Sequence, residues 1–377
     1  MSSRHIITGE YPPDVGGVAD YTRVVAAALA TSGEDVHVWC GGASASPARE
    51  GAVTVHRSLG GFDRHALAQA DRELEGHAAP RRLLVQWVPH AYSRSSINVG
   101  FCRWVRRRAR LHGDTVEVMI HEPFLPFEGG VRQRAAALVH RLMIRLLLSE
   151  AKRVWVAIPE WETLCRPFAP KGRFAWMPIP SGIEVITNPP ARDPWRTESA
   201  GSLLLGSFGR TGDGQARALA RCLDLLERQT ISASLLLIGA GSERLREQVL
   251  AIRPSSGGAV RATGALEAAD VSAALRACDI VVQPYDDGVC GRRSSAMACL
   301  AHGLPMVSVD GRFTEPSWRN VGVRLVARVD DVPAEVAALA RDAAARSRLA
   351  SGALALYDQC FDVRHTVAAL QAELQAS

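Results

Sequence analysis

Residues 279–311 read DIVVQPYDDGVCGRRSSAMACLAHGLPMVSVDG. Strand-like, turn-like and helix-like segments follow one another here, and their order decides the fold. Asp279 to Tyr285 is a short β-branched run of the kind that forms a buried strand. Asp286 to Gly291 is turn-rich, with paired acids and two glycines. Ser294 to His302 is a small-residue segment that predicts a helix, with Gly303 placed where a helix stops. Leu304-Pro305 then leads into the next apolar strand. A loop that feeds a helix start presents unpaired backbone N–H groups, which suits a phosphate. Arg292 and Arg293 add positive charge at that point, and Ser294 and Ser295 add hydroxyls. The plain alternative is that these four residues cap a surface helix.

The same alternation extends outward in both directions. Strands are predicted at 203–208, 234–238, 260–263, 280–284, 306–309 and 323–326, with helices such as 215–229 and 268–278 between them. The first half gives strands at 4–8, 35–39, 83–88, 116–120 and 154–158. The fold class is therefore α/β, with two Rossmann-like, doubly wound parallel-sheet domains facing a cleft. The expected domains are 1–185, a Pro-, Asn- and Ser-rich linker at 186–202, and 203–355, with a closing helical segment at 356–377 packed back across the domains. Gly16 and Gly17 follow the first strand and open a helix, where glycine lets a ligand approach the backbone; a plain tight turn is the alternative. The strand 116–120 delivers His121 and Glu122 to its carboxyl end, where open α/β sheets bind ligands.

Composition limits the function classes. The chain has 377 residues, 47% of them apolar, and a net charge of +5. Nearly all its basic residues are arginines, Lys152 and Lys171 being the lysines, and no nucleic-acid-binding motif is present. The eight cysteines form no CxxC pair and no zinc-like spacing, and the start carries no signal pattern. These features predict reduced thiols and a cytoplasmic protein. Within the helix expected at 131–150, Arg134, Arg141 and Arg145 lie close to one face. That face is either a solvated stripe or a basic surface resting peripherally on an anionic membrane at its inner face. IGAGSERLRE, residues 238–247, begins like a dinucleotide fingerprint, but Arg244 stands where its third glycine would fall, which argues against a dehydrogenase.

Taken in order, PPDVGGVADYT (12–22), IHEP (120–123), IPSGIEV (179–185), FGR (208–210), LLLIGAGSER (235–244), TGALEAADVSAALRACDIVVQPY (263–285) and AHGLPMVSV (301–309) resemble the motifs of family 4 glycosyltransferases of the GT-B fold. The resemblance is to a branch with a GVxxRRSS-type donor loop in place of the usual acidic motif. It implies a retaining, metal-independent transferase with no cofactor, whose donor is a nucleoside-diphosphate sugar, UDP or GDP being the expected nucleotide. The acceptor would be a sugar, a lipid-linked sugar or a small molecule. Gly16 and Gly17 would approach the donor phosphates and sugar, and His121 would meet the sugar hydroxyls. Glu122 could assist the acceptor hydroxyl. Arg210 would bind the diphosphate, Gly239 and Gly241 would shape the nucleotide pocket, and Leu266 would offer backbone to the base. The family's two glutamates fall at Cys290 and Ala298 here, and its donor-domain lysine has no counterpart after Arg210. Asp286 or Asp287 could supply the first carboxylate, Ser294 or Ser295 could replace the second, and Arg292 or Arg293 could provide the lysine's charge. The alternatives are another GT-B enzyme, such as a nucleotide-sugar epimerase, and a non-catalytic sugar-nucleotide-binding protein.

Overall fold

The computed structural model describes residues 3–14, 16–42, 44, 46–186, 195–196, 202–319 and 322–375. The chain divides into two compact units, Met1–Pro178 with Val363–Ser377, and Ile179–Asp362. Of the linker expected at 186–202, residues 187–194 and 197–201 lie outside the described residues. Residues 179–185, which the sequence assigns to the first domain, group with the second. Hydrogen bonding gives the reason: the Ile179 amide donates to the Gly291 carbonyl (3.0 Å) and the Ser181 amide to the Tyr357 hydroxyl (3.2 Å). The closing segment also divides, since residues through Asp362 stay with the second unit and the helix Val363–Gln375 belongs to the first.

Among the described residues the first unit holds one eight-stranded sheet. Its strands are β1 (Arg4–Thr8), β2 (Val36–Trp39), β3 (Ala48–Glu50), β4 (Val53–His56), β5 (Arg82–Trp87), β6 (Thr115–Ile120), β7 (Arg153–Val156) and β8 (Phe174–Trp176). The order is β3-β4-β2-β1-β5-β6-β7-β8, parallel except for β3 against β4. The central strands β1 and β5 are buried at every position, as parallel strands covered on both faces must be. The sequence reading missed β3, β4, β8 and the helix Arg64–Glu75. Each of these strands has only three or four residues, too short for a periodic signal, and β3 is exposed throughout.

The amino edge of this sheet is closed by charge. Arg4 donates to Glu34 (2.7 Å) and Arg82 to Glu117 (2.8 Å), and both guanidiniums donate to the carbonyl of Leu370 in the closing helix (3.1 and 2.8 Å). Trp155 completes the Glu117 carboxylate with a bond of 2.9 Å. Buried charges are tolerated when they are paired and hydrogen-bonded in this way. Gly16 and Gly17 after β1, and His121 and Glu122 after β6, follow the carboxyl ends of their strands.

In the second unit β9 (Leu203–Phe208), β10 (Ala233–Ile238), β11 (Val260–Ala262), β12 (Ile280–Gln283), β13 (Met306–Val309) and β14 (Val323–Val326) form a parallel sheet in the order β11-β10-β9-β12-β13-β14. Numbered within the unit, this is the doubly wound order 3-2-1-4-5-6. Alternate side chains feed opposite cores: Leu204, Leu236, Val281 and Met306 on one face, Leu205, Leu237, Val282 and Val307 on the other. Each fully buried leucine or valine contributes about 1.5–3 kcal/mol, so the two layers hold the sheet rigid beneath its loops.

Candidate active site

The strand order of the second unit reverses between β9 and β12, and ligands of such sheets bind outside the carboxyl ends at that point. The chain after β9 turns at Gly209, whose φ of 68° lies in the left-handed region that glycine favours. A side chain built there would approach Ser295, the second residue of the helix Ser294–Ala301 that follows β12, to 3.8 Å. Gln283 at the end of β12 ties these loops together. Its amide donates to the Phe208 carbonyl (2.8 Å), and its carbonyl accepts from the Ser207 hydroxyl (3.3 Å). The Tyr285 and Ser295 hydroxyls share a bond of 2.7 Å. Ser295 is thus part of the support, while the helix Ser294–Ala301 has no side-chain cap on its first turn.

Beside this point lies a cavity of about 440 Å³. Its walls include Gly209, Arg210 and Asp213 after β9, and Gly241, Ser242 and Arg244 after β10. Gly241, at φ 81°, precedes the helix Ser242–Ile252, which also lacks a side-chain cap. Gly239, at φ 96°, packs against the Phe208 ring and donates its amide to the Thr263 hydroxyl (3.0 Å). Arg210 bonds Asp213 at 2.8 Å, yet their side chains are 82% and 93% exposed. Such a surface pair is worth little and releases its arginine readily.

Asp287, Arg292, Arg293, Ser294 and Ser295, in and after the loop following β12, are not among the residues lining this cavity. Arg292 (2.8 Å) and Arg293 both bond the Asp287 carboxylate, and Arg293 also lies over the Tyr285 ring at 4.9 Å. Arg292 lies over Phe313 at 5.4 Å. The loop rests on the segment after β13: Phe313 donates its amide to the Asp287 carbonyl (3.1 Å), and Gly288 and Gly311 approach so closely that a side chain on either would collide with backbone. Glu315 is the buried anchor of this platform. Burial is the main cause that pushes its carboxyl up to about 7. The sequence reading missed Glu315, which lies beyond the next strand and carries no motif.

In the first unit the strand order reverses between β1 and β5. Gly9, just past β1, passes so close to Ala91 that a side chain would collide with its carbonyl oxygen. Gly16 and Gly17 open the uncapped helix Gly17–Thr31, and a side chain on Gly16 would strike the Glu10 carboxylate at 2.5 Å. Glu10 is pushed up by burial, with His90 opposing and Asp14 and Glu122 reinforcing the shift. His121 follows β6. Its Nε2 bonds the Gln86 side-chain oxygen at 2.8 Å, and the Tyr21 ring stands edge-on at 4.8 Å. The Trp161 indole fixes its carbonyl at 2.8 Å. Burial drives the imidazole down to about 3, so it is neutral at any physiological pH and Nε2 donates to Gln86. Glu122 is exposed beside it.

The structure therefore brings Arg210 and Gly241 to one cavity, while Gly239 is not among its lining residues and precedes the wall residue Ala240. It gathers Gly16, Gly17, His121 and Glu122 on the carboxyl edge of the first sheet. Asp287, Arg292, Arg293 and Ser295 bond among themselves and their support, and Ser294 starts the helix above them. Leu266 packs its side chain on the hydrophobic core. Glu10 and Arg244 were not singled out as site residues from sequence; the first directly follows the β1 loop glycine, the second breaks the glycine fingerprint.

Two α/β units of this topology form the fold of the GT-B glycosyltransferases. Sucrose-phosphate synthase from Thermosynechococcus elongatus superposes with a TM-score of 0.73 at 15% identity, with 100% of both chains covered. HepE of Anabaena, in complex with UDP and glucose, gives 0.65 at 13% identity, again over 100% of both. WaaG, a glycosyltransferase involved in lipopolysaccharide biosynthesis, gives 0.64 at 14% over 96% of both. Residues 202–344 match the family model described as Glycosyl transferases group 1. No curated protein sequence matches the chain.

Proposed function

We propose that the protein is a retaining glycosyltransferase that moves a sugar from a nucleoside-diphosphate sugar to an acceptor hydroxyl, the second unit holding the donor nucleotide and the first the acceptor. The observation that carries this reading is the cavity after β9 and β10, with its two left-handed glycines, uncapped helix start and releasable Arg210. Departure of the diphosphate develops negative charge on the leaving phosphate. Donors already aimed at that position stabilise the transition state more than the ground state. Arg210 and the backbone amides at the helix starts are those donors. The leaving phosphate takes the acceptor proton on the same face, so the proposed reaction routes no step through a metal or a protein base. His121, neutral and held by Gln86 and Trp161, is a fixed hydrogen-bonding group for a sugar hydroxyl. The match of residues 202–344 to group 1 glycosyl transferases supports the same reading. UDP or GDP is the proposed nucleotide; HepE was solved with UDP.

Peripheral docking on anionic membrane is the proposed setting. The helix Val131–Leu148 exposes Val131, Leu138 and Leu142 along with Arg132, Arg134 and Arg145. Arg141 does not belong to this face: it lies 3.7 Å over the Phe127 ring and bonds the carbonyls of Leu125 and Ala137. No helix among the described residues is long and apolar enough to cross a membrane.

The test is a thermal-shift panel of UDP, GDP, ADP and TDP, followed by incubation with the corresponding nucleotide sugars. One nucleotide should raise the melting temperature, since it binds the folded state alone, and its sugar should be transferred or slowly hydrolysed. An isomerised sugar, or binding without turnover, would refute the transferase reading.

A further inference from the structure

We propose that Arg244 is the second phosphate-binding cation of the donor cavity; this rests on the nucleotide-sugar reading given above. A nucleoside diphosphate brings at least two negative charges into the site. Of the sequence's arginine candidates, Arg292 and Arg293 are held by Asp287 and neither lines the cavity. The charged side chains that do line it are Arg210, Asp213 and Arg244. Arg210 and Asp213 cancel, so without Arg244 the wall would be neutral.

Arg244 is placed for the task. It lies in the first turn of the helix Ser242–Ile252, directly after Gly241, where unpaired backbone amides and the positive helix end already favour an anion. Its side chain is exposed, and no carboxylate pairs with it among the described residues. Its acidic neighbour, Glu243, bonds the Ser242 hydroxyl at 3.5 Å and lies against Gly264. The break in the glycine fingerprint thus has a chemical meaning. A dinucleotide fold uses its third glycine for close helix packing, whereas this chain spends the position on a guanidinium that can take a phosphate with two parallel N–H bonds. Arg210 then serves the turn after β9 and Arg244 the turn after β10, both in the wall of the cavity.

The experiment is calorimetric titration of the wild-type protein, Arg244→Ala, Arg244→Lys and Arg210→Ala. The probes are whichever of UDP, GDP, ADP and TDP stabilises the wild type, its monophosphate and its free nucleoside. Arg244→Ala should keep its melting temperature and lose about 10- to 100-fold in diphosphate affinity. The loss should shrink at high salt and be absent for the nucleoside, and Arg244→Lys should recover part of it. Equal losses for diphosphate and nucleoside would overturn the phosphate role in favour of stacking on the base. Wild-type affinity in Arg244→Ala, with a clear loss in Arg210→Ala, would overturn this inference alone. Failure of every nucleotide to bind the wild type would overturn the nucleotide-sugar reading with it.

Discussion

Both carboxylate oxygens of Glu315 accept the amide hydrogen of Gly291, at 3.0 and 3.1 Å. The Gly291 carbonyl in turn accepts from Ile179 at 3.0 Å. Gly291, directly before Arg292-Arg293-Ser294, is therefore held at both its amide and its carbonyl, and the loop after β12 inherits its position from a residue 24 places downstream.

This grip has a pH signature. The Glu315 carboxyl titrates near 7 in the folded chain against 4.5 ordinarily, so the folded state holds the proton more tightly than the unfolded state. Its stabilising contribution is complete below pH 4.5 and is lost as pH rises through 7, by at most about 3 kcal/mol. Glu315→Gln keeps an acceptor for Gly291 without the titration. The variant should gain on the wild type in melting temperature between pH 5 and pH 8. Parallel curves across that range would mean that the carboxyl does not titrate there.

The first unit should be acid-sensitive for the opposite reason. His5 on β1, His37 on β2, His56 on β4 and His77 gather on one face of the sheet, with His37 and His56 bonded at 2.9 Å and Trp39 stacked 3.8 Å from His56. Ser3, Asp35 and Arg81 are the other polar neighbours. Burial is the first cause that lowers His5 to about 2 and His56 to about 4, with the other imidazoles adding to it. Both contribute full stability above pH 6.5 and lose it as pH falls toward those values, by up to about 1.4 kcal/mol per pH unit for each group. Denaturant midpoints measured from pH 7.5 to 5 should fall steeply below 6.5. A flat profile would show that the cluster is already protonated or open to water.

His121→Ala separates a positioning histidine from a core one. The proposed role predicts a near-normal melting temperature, unchanged diphosphate affinity and a turnover loss of about 100-fold. Collapse of stability with proportionate loss of binding and turnover would assign His121 to the core through its bonds with Gln86 and Trp161. Full activity would exclude a catalytic or sugar-positioning role.

Vesicle sedimentation tests the helix Val131–Leu148. The wild type should pellet with anionic vesicles at low salt, release as salt rises, and ignore neutral vesicles. Leu138→Glu combined with Leu142→Glu should abolish pelleting without changing nucleotide affinity. Equal pelleting of the double variant, or none by the wild type, would leave the helix face to solvent.

Much of this architecture is legible in the sequence because parallel strands buried on both faces write themselves as apolar runs. β9, β13 and β14 fall at the expected residues. The glycines after β9 and β10 are equally readable, since left-handed turns leave few other choices. What is not legible is pairing across the fold. Nothing local in GRRSS says that Asp287 will hold both arginines, and nothing in FTEP says that Glu315 will hold Gly291. Arg141 looked like its neighbours on a helical wheel until Phe124 and Phe127, which precede the helix, claimed it.

The two guanidiniums that share the Leu370 carbonyl have a consequence for how the protein is made. The first strand of the first unit begins at Arg4, but that unit cannot cover Arg4 and Arg82 until the helix Val363–Gln375 has emerged, and the whole second unit is translated in between. At about 5–20 residues per second the ribosome leaves this edge unsealed for roughly ten to forty seconds. During that time the nascent first unit carries two uncovered arginines, while the second unit can fold without waiting. The domain synthesised first is thus the one completed last, and nascent-chain chaperones have their longest opportunity at its amino edge.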